Sequence, residues 1–181
     1  MSVAKDYLEA RRLFEWRRPD RFNFVRDVIE RHAREAGGAT ALYWTSAAGE
    51  EAVISFAELR DRANAAAGFL SSLGLKRGDV ILLVLSREQA WWEIILGCLQ
   101  LGVIVSPGTT QLMKKDFAFR MQATNAAAVI TNGDCASRAD EAAADLGWAG
   151  RKVIVDADRA SWLRYDATSS PRRNDYADTH L

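Results

Sequence analysis

Four consecutive residues, Gly108-Thr109-Thr110-Gln111, carry the groups best suited to bind a polar ligand. A short loop of this composition can present backbone N–H groups, two hydroxyls and an amide to a polar or anionic group. The loop follows an apolar run at residues 103–105 that is typical of a strand, and open α/β sheets bind their ligands beyond the carboxyl ends of strands. We therefore predict a ligand site here, although loops of the same composition also occur without a ligand.

Familiar catalytic motifs are absent from the sequence. No G-x-G-x-x-G follows a strand, and there is no G-x-x-x-x-G-K-[ST], H-E-x-x-H or C-x-x-C. Neither Ser86 nor Ser106 stands in a G-x-S-x-G elbow. The paired carboxylates Glu50-Glu51 and Asp140-Glu141 fall in a turn and on a solvated helix face. The residues alone therefore predict no catalytic group and no metal site.

Composition and charge narrow the class of protein. The 181 residues are 49% hydrophobic and 27% charged, which is typical of one soluble globular domain. Lys plus Arg equals Asp plus Glu at 24 each, a balance that argues against nucleic-acid binding. No apolar run reaches the roughly 18 residues of a membrane span, and the N-terminus lacks a signal-peptide core, so we expect a cytoplasmic protein. Cys98 and Cys135 are expected to be reduced thiols.

A strand–helix–strand unit positions the loop. Residues 80–85 are six consecutive apolar residues, as expected for a strand buried on both faces of a parallel sheet. Ser86 and Gln89 predict a capping box that begins a helix, and Gly102 predicts its end. The second strand, residues 103–105, is expected to end before Ser106, where the polar loop begins.

Helix and strand patterns alternate on both sides of this unit. Upstream, residues 41–44 and 52–54 predict a hairpin, and the capping box of Ser55 and Glu58 begins a long helix. Downstream, we predict helices at 114–123, with Phe117, Met121 and Phe119 facing inward, and at 136–146, and strands at 126–131 and 152–155. This alternation predicts an α/β fold, a mostly parallel sheet with helices on both faces.

The two ends of the chain differ from the α/β part. Residues 3–18 and 22–36 predict amphipathic helices, the second with Asn23 as its N-cap. Residues 167–181 have little apolar content and predict a linker or a truncated tail. We therefore divide the chain into an N-terminal helix or arm (1–21), an α/β subdomain (22–166) and the tail (167–181).

Residues 80–112 strongly resemble the N-terminal part of the AMP-forming acyl-CoA synthetases, which are adenylate-forming ligases. The resemblance is to the medium-chain branch and covers about residues 22 to 156. It rests on Trp91-Trp92-Glu93, Leu96-Gly97-Cys98-Leu99 and Pro107-Gly108-Thr109-Thr110-Gln111-Leu112, with shorter matches at Phe22-Asn23-Phe24, Ser55-Phe56-Ala57-Glu58-Leu59, Arg77-Gly78-Asp79 and Ala128-Val129-Ile130-Thr131. The fold implied is the first subdomain of the large N-terminal domain of such an enzyme.

The resemblance implies a two-step ligation in the full-length enzyme. A carboxylate, expected to be a medium-chain fatty acid, attacks the α-phosphate of ATP and gives an acyl-adenylate and pyrophosphate. The CoA thiol then displaces AMP. ATP, Mg²⁺ and CoA are the implied substrates and cofactor. An aryl-CoA (benzoate-type) ligase is the alternative within the family, and a non-catalytic α/β module that binds a ligand or a partner is the alternative outside it.

The resemblance also assigns candidate site residues. Gln111 is the leading contact for CoA, with Thr110, Thr109 and Gly108 lining the CoA entry channel and Arg138 against the CoA nucleotide. Trp91 and Trp92 are expected to be packing residues, and Arg87 and Arg120 to hold structure near the loop.

The family's phosphate loop, of the form T-S-G-T-T-G-x-P-K, and its C-terminal lysine are not among these 181 residues. We therefore expect no catalytic residue in this chain and no ligation by this chain alone, because the groups that would stabilise charge on the transferring phosphate are missing. The resemblance further implies that this subdomain packs against the rest of a longer chain. Alone, it should expose an apolar face and self-associate.

Overall fold

The computed structural model describes residues 3–16, 19–167 and 173–178. The chain folds into seven strands, six α-helices and one π-helix within these residues. In chain order they are α1 (Val3–Leu13), a π-helix (Val25–Glu30) that continues as α2 (Arg31–Ala36), β1 (Thr40–Thr45), β2 (Glu51–Ser55), α3 (Phe56–Ser72), β3 (Val80–Val84), α4 (Gln89–Leu101), β4 (Ile104–Gly108), α5 (Lys114–Ala123), β5 (Ala128–Thr131), α6 (Gly133–Leu146), β6 (Arg151–Ile154) and β7 (Leu163–Arg164).

A five-stranded parallel sheet is the centre of the fold. Its strand order is β4-β3-β5-β6-β7, and β1 and β2 form a separate antiparallel hairpin. Because side chains alternate along a strand, Ile81 and Leu83 of β3 pack with residues of α3 and α4, whereas Leu82 and Val84 pack with residues of α5 and α6. Both faces of the sheet are therefore covered by helices, and the α/β prediction is confirmed.

Small residues let α3 and α4 pack closely. A Cβ at Gly97 of α4 would lie 2.9 Å from the backbone nitrogen of Ala67 and 3.0 Å from the Cβ of Ala66, both in α3. A glycine is required here because a side chain would meet backbone atoms that cannot move aside. The close contact fixes α4 against α3 on the face of the sheet that both helices cover.

Strand β4 is longer than the sequence predicts. Residues 103–105 were expected to be the whole strand, but β4 continues through Ser106 and Pro107 to Gly108, which pairs with Val84. Pro107 can lie in this strand because β4 is at the edge of the sheet, where a missing N–H leaves no ladder bond unmade. The polar loop therefore begins at Thr109.

The predicted start of α4 is wrong. The helix begins at Gln89 with Glu88 as its N-cap residue, and no side chain caps it. Ser86 lies two residues before the N-cap position, and its hydroxyl donates to the Glu88 carboxylate at 2.7 Å. The predicted end is confirmed, since Gly102 adopts a left-handed conformation with φ of 73°.

The predicted inward position of Phe119 is also wrong, since its side chain is 71% exposed while Phe117 and Met121 are buried. The capping box of Ser55 and Glu58 is confirmed by its two reciprocal hydrogen bonds.

The ends of the chain lie differently from the predictions. Helix α1 ends at Leu13, earlier than the predicted residue 18, and residues 17 and 18 lie outside the described part of the chain. Asn23 does begin the second helix, because its Oδ1 accepts from the Val25 N–H at 3.0 Å. From the predicted tail, residues 173–178 return to contact α3 and α4. Within the described residues, none of the helices combines the length and apolar character needed to span a membrane.

Candidate ligand-binding site

The predicted loop lies where the strand β4 meets the helix α5. The Thr109 hydroxyl accepts from the Gln111 N–H at 2.9 Å, and the Thr109 carbonyl accepts from the Leu112 N–H at 3.2 Å. These two bonds close a tight turn just beyond the carboxyl end of β4. The Gln111 side chain is exposed and makes no hydrogen bond to the described residues, so both its amide groups are free to contact a ligand.

Gly108 allows the turn to fold back on the sheet. A Cβ at this position would lie 2.7 Å from Leu112 Cδ1 and 3.1 Å from Val84 Cγ2. The glycine therefore lets the Leu112 side chain close over the end of β3. Its role here is close packing rather than contact with a ligand.

Arg138 joins the loop from the helix α6. Its Nη2 donates to the Thr110 carbonyl at 3.0 Å and to the Asp134 carbonyl at 3.3 Å, and it lies 3.1 Å from Cys135 Sγ. The buried Cys135 thiol lies 3.6 Å from the same Thr110 carbonyl. The structure thus brings the predicted Arg138 to the predicted loop, although the bond is to the loop backbone.

A cleft of about 530 Å³ lies on the other side of the loop. Two threonines of the loop line one part of it, and four aromatic residues of β1 and α4 line much of the rest. The lining residues are Leu42, Tyr43, Trp44, Thr45, Leu85, Ser86, Arg87, Trp91, Trp92, Thr109 and Thr110. Gly108, Gln111 and Arg138 are near this cleft in the fold but are not among its lining residues.

The two tryptophans of α4 are both packing residues and cleft residues. Their rings meet edge to face with centroids 4.8 Å apart. Trp91 packs against the core formed by α3, α4 and β3, as predicted, while Trp92 is 44% exposed. An aromatic edge and face at the mouth of a cleft give an apolar surface on which a ligand can pack.

The hairpin wall of the cleft is the part that sequence reasoning missed. The Trp44 indole N–H donates to the backbone carbonyl of Arg87, which joins β1 to the segment before α4. Tyr43 of the same strand is exposed. The only sequence signal was an aromatic pair in a half-exposed hairpin, and nothing in it indicated which side of the sheet the hairpin would face.

Arg87 and Arg120, which were both predicted to have structural roles near the loop, differ in their contacts. Arg120 Nη1 donates to the Pro107 carbonyl at 3.3 Å and lies 3.5 Å from Ser106 Oγ. It therefore holds the edge strand β4, which confirms the prediction for Arg120. Arg87 is exposed at the rim of the cleft and places a positive charge there.

The described residues contain no group of three or more His, Cys, Asp or Glu side chains that could hold a metal ion. Cys98 is buried in the core, and burial raises the pKa of its thiol far above the usual value, so it is not a nucleophile at neutral pH. The arrangement is suited to binding: it offers an apolar cleft, polar loop groups and a cationic rim to a ligand that has both apolar and anionic parts.

Solved structures show the same fold. A benzoate CoA ligase from Burkholderia xenovorans superposes with a TM-score of 0.70 at 25% identity, over 87% of this chain and 30% of that one. Over these residues the fold is therefore that of the corresponding part of a CoA ligase structure.

The chain belongs to the AMP-binding enzyme family, whose profile matches residues 29–179. It is 35% identical over 156 residues to the mitochondrial acyl-coenzyme A synthetase ACSM2 of Rattus norvegicus. The aligned residues cover 82% of this chain and 27% of that protein. It is 36% identical over 154 residues to the mitochondrial acyl-coenzyme A synthetase ACSM5 of Homo sapiens. The aligned residues cover 81% of this chain and 27% of that protein. The chain thus spans about a quarter of the length of these relatives.

Proposed function

We propose that this chain is the N-terminal part of an ATP-dependent, AMP-forming acid–CoA ligase. In this reaction a carboxylate and ATP give an acyl-adenylate and pyrophosphate, and CoA then gives the acyl-CoA thioester and AMP. The observation that carries the proposal is the family match over residues 29–179, together with relatives that are named acyl-coenzyme A synthetases.

In this proposal the loop contributes to CoA binding. Gln111 offers an exposed amide with free donors and an acceptor, and Thr110, Thr109 and Gly108 shape the turn that presents it. Arg138 acts mainly by holding the Thr110 carbonyl. These groups suit the amide and phosphate groups of CoA.

ATP and Mg²⁺ belong to the complete enzyme in the proposal. The described residues do not form a cluster of carboxylates that fits Mg²⁺, so we derive no step through the metal from them.

For the acid we propose a medium-chain fatty acid, on the resemblance of residues 80–112 to the medium-chain branch; the names of the relatives, acyl-coenzyme A synthetases, agree with an acyl substrate. An aryl acid is the second candidate. It is favoured by the likeness to a benzoate CoA ligase, and the aromatic cleft could also pack against a ring.

We propose the cytoplasm as the compartment. The relatives named above are mitochondrial proteins, so a fluorescent fusion of the complete protein would decide between the two locations.

We also propose the division into an arm (1–21), an α/β subdomain (22–166) and a linker (167–181), with the α/β subdomain packing against the rest of a longer chain. Several large apolar side chains support an exposed packing face, since Ile104, Met113 and Phe119 are each more than half exposed near β4 and α5. Without its neighbour, the chain should self-associate. Sedimentation that finds a stable monomer over a wide concentration range would contradict this.

The experiment compares this chain with the complete open reading frame that contains it. AMP and thioester formation are measured with ATP, Mg²⁺, CoA and acids from acetate to decanoate, with benzoate added. Activity that is confined to the complete protein supports the ligase, and the preferred acid decides between the fatty and aryl alternatives. Inactivity of both proteins would favour the non-catalytic binding module.

The role of the loop has its own test in the complete protein. Gln111→Ala should raise the KM for CoA about fivefold to tenfold with little change in the KM for ATP, as expected for one lost hydrogen bond. Gln122→Ala is the matched control, because Gln122 is an exposed glutamine on α5, outside the loop. An equal effect of the two substitutions would remove Gln111 from the CoA site.

A further inference from the structure

Asn23, Asn64 and Gln100, three buried residues with amide side chains, all make hydrogen bonds to one segment of the chain. Among the described residues, Asn23 and Gln100 are fully buried and bond to residues 173–178 through their side-chain amides, whereas the nearly buried Asn64 bonds to the segment through its backbone carbonyl only. Burying an amide is unfavourable unless its polar groups find partners. The α/β core therefore carries polar groups at this place whose partners come from the predicted tail.

The Asn23 side chain joins three parts of the fold. Its Nδ2 donates to the Ala177 carbonyl at 2.7 Å and to the Leu99 carbonyl of α4 at 2.8 Å. Its Oδ1 accepts from the Val25 N–H at 3.0 Å, where the π-helix begins. Both amide donors and the acceptor are thus used, and one donor is used on the segment 173–178.

Gln100 binds the same segment at three points. Its Nε2 donates to the carbonyls of Arg173 at 2.8 Å and Asp175 at 3.2 Å. Its backbone carbonyl accepts from the Ala177 N–H at 2.7 Å. The backbone carbonyl of Asn64 in α3 accepts from the Arg173 N–H at 3.1 Å. The segment is therefore held mainly through its backbone.

Few side chains of the segment add apolar contact. Tyr176 packs, half-buried, against the cluster around Val25 and Ile29. The other contacts are polar and partly exposed: Arg173 Nη1 donates to Ser71 Oγ at 2.7 Å, and Arg26 Nη1 lies 2.8 Å from Asp178 Oδ1. A segment with one apolar anchor and several polar bonds opens at a lower free energy than the packed core.

We propose that residues 173–178 form a strap that docks and releases as a unit, with Asn23 and Gln100 as the positioning residues that hold it. Docking satisfies the buried amide donors of both residues, and release leaves the strands and helices of the core in place. The strap contacts the start of the π-helix, the end of α4 and the middle of α3, so its release would remove one set of hydrogen bonds that join these three elements while their direct packing stays in place. This proposal does not depend on the proposed ligase activity.

Hydrogen exchange in the full chain tests the strap. Asn23→Asp keeps the acceptor for the Val25 N–H but removes the donors, and Gln100→Glu removes the donor to the Arg173 and Asp175 carbonyls. Each substitution should speed exchange of the Arg173 and Ala177 amides by about tenfold or more. Amides of β3 and β5 should exchange at the native rate.

Two further variants complete the test. Asn132→Asp changes another buried amide, one that donates to Glu88 far from the strap, and it should leave exchange at 173–178 unchanged. Tyr176→Ala lies in the strap itself, cannot unfold the core and should also speed exchange there. The proposal is overturned if Tyr176→Ala leaves exchange at 173–178 at the native rate, or if all three strap variants speed the core amides by the same factor as the strap amides.

Discussion

The guanidinium of Arg138 donates to the backbone carbonyl of Thr110 at 3.0 Å, so the helix α6 holds the loop that follows β4. These residues lie 28 positions apart in the sequence. They meet because α5 and α6 cover the same face of the sheet and the loop turns toward that face. The conformation of the candidate site is therefore maintained by a helix that is not itself part of the cleft.

Removing this bond should loosen the loop more than it destabilises the fold. For Arg138→Ala in the complete protein, we expect the KM for CoA to rise about threefold to tenfold, while kcat falls less, because a charged donor to a half-buried carbonyl is lost. Steady-state kinetics with CoA as the varied substrate measure this. Arg151→Ala, an exposed arginine at the start of β6, is the control. Equal kinetics for Arg138→Ala and the native protein would show that the bond does not hold the loop.

A side chain at Gly108 should disturb the turn. The added Cβ of Gly108→Ala would lie within 3.1 Å of both Val84 and Leu112, so we expect a loss of about 1 to 2 kcal/mol in the free energy of unfolding. Urea unfolding followed by tryptophan fluorescence measures the change. Gly38→Ala is the control, because nothing lies within 4 Å of a Cβ there. A Gly108→Ala protein as stable as the Gly38→Ala protein would mean that Leu112 moves aside without cost.

Gly97, where α4 meets α3, should tolerate an added methyl group even less than Gly108 does. Gly97→Ala would press its Cβ on backbone atoms of Ala66 and Ala67, and we expect a loss of about 2 to 3 kcal/mol. Thermal and urea unfolding measure it. Gly133→Ala is a matched control in another helix, where the nearest atom would be 3.7 Å away. If the two variants lose stability equally, crowding on Ala66 and Ala67 is not the cause, because alanine is the better helix former and its propensity alone would raise stability.

Asp140 should make the stability of the fold depend on pH. It accepts hydrogen bonds from the side chains of Lys152, Arg159 and Trp162. Partial burial acts to raise the pKa of Asp140, but these donors outweigh it and hold the pKa below its usual value. At pH values between the lowered pKa of the folded state and the usual pKa of the unfolded state, the folded state therefore binds fewer protons. The stabilisation is complete at pH values above the usual pKa of about 4. It is lost as the pH falls through the lower pKa that Asp140 has in the folded state.

Asp140→Asn should remove this dependence. We expect the variant to be less stable than the native chain at neutral pH and to lose less stability between about pH 5 and pH 3. Urea unfolding across that range gives both quantities. Asp158→Asn is the control, because Asp158 is an exposed partner of Arg164 and such pairs contribute little. Parallel pH profiles for the native chain and Asp140→Asn would contradict the prediction.

Predictions that depend on neighbours in the chain were the most accurate. The capping box of Ser55 and Glu58 spans three residues, and the left-handed end of α4 at Gly102 depends on one. The bounds of α5 match the prediction at both ends. In each case the groups that decide the conformation are within one helical turn of each other, so local sequence contains the necessary information.

Predictions that depend on distant neighbours failed or were missing. Phe119 faces away from the core that takes Phe117. Pro107 was placed outside the strand because the sequence does not say which strand is at the edge of the sheet. Each of these outcomes depends on where an element lies in the sheet.

Sequence was sufficient for the α/β class, and the binding roles it assigns to Gly108-Thr109-Thr110-Gln111 and, through a family resemblance, to Arg138 stay predictions. Tertiary structure alone decided that β1 forms the aromatic wall of the cleft, that Arg138 bonds to the Thr110 backbone, and that residues 173–178 lie on Asn23 and Gln100. The physical reason is how far apart along the chain the interacting residues lie. Hydrophobic periodicity and caps act over a few residues, whereas the wall and the strap join residues that are more than 40 positions apart.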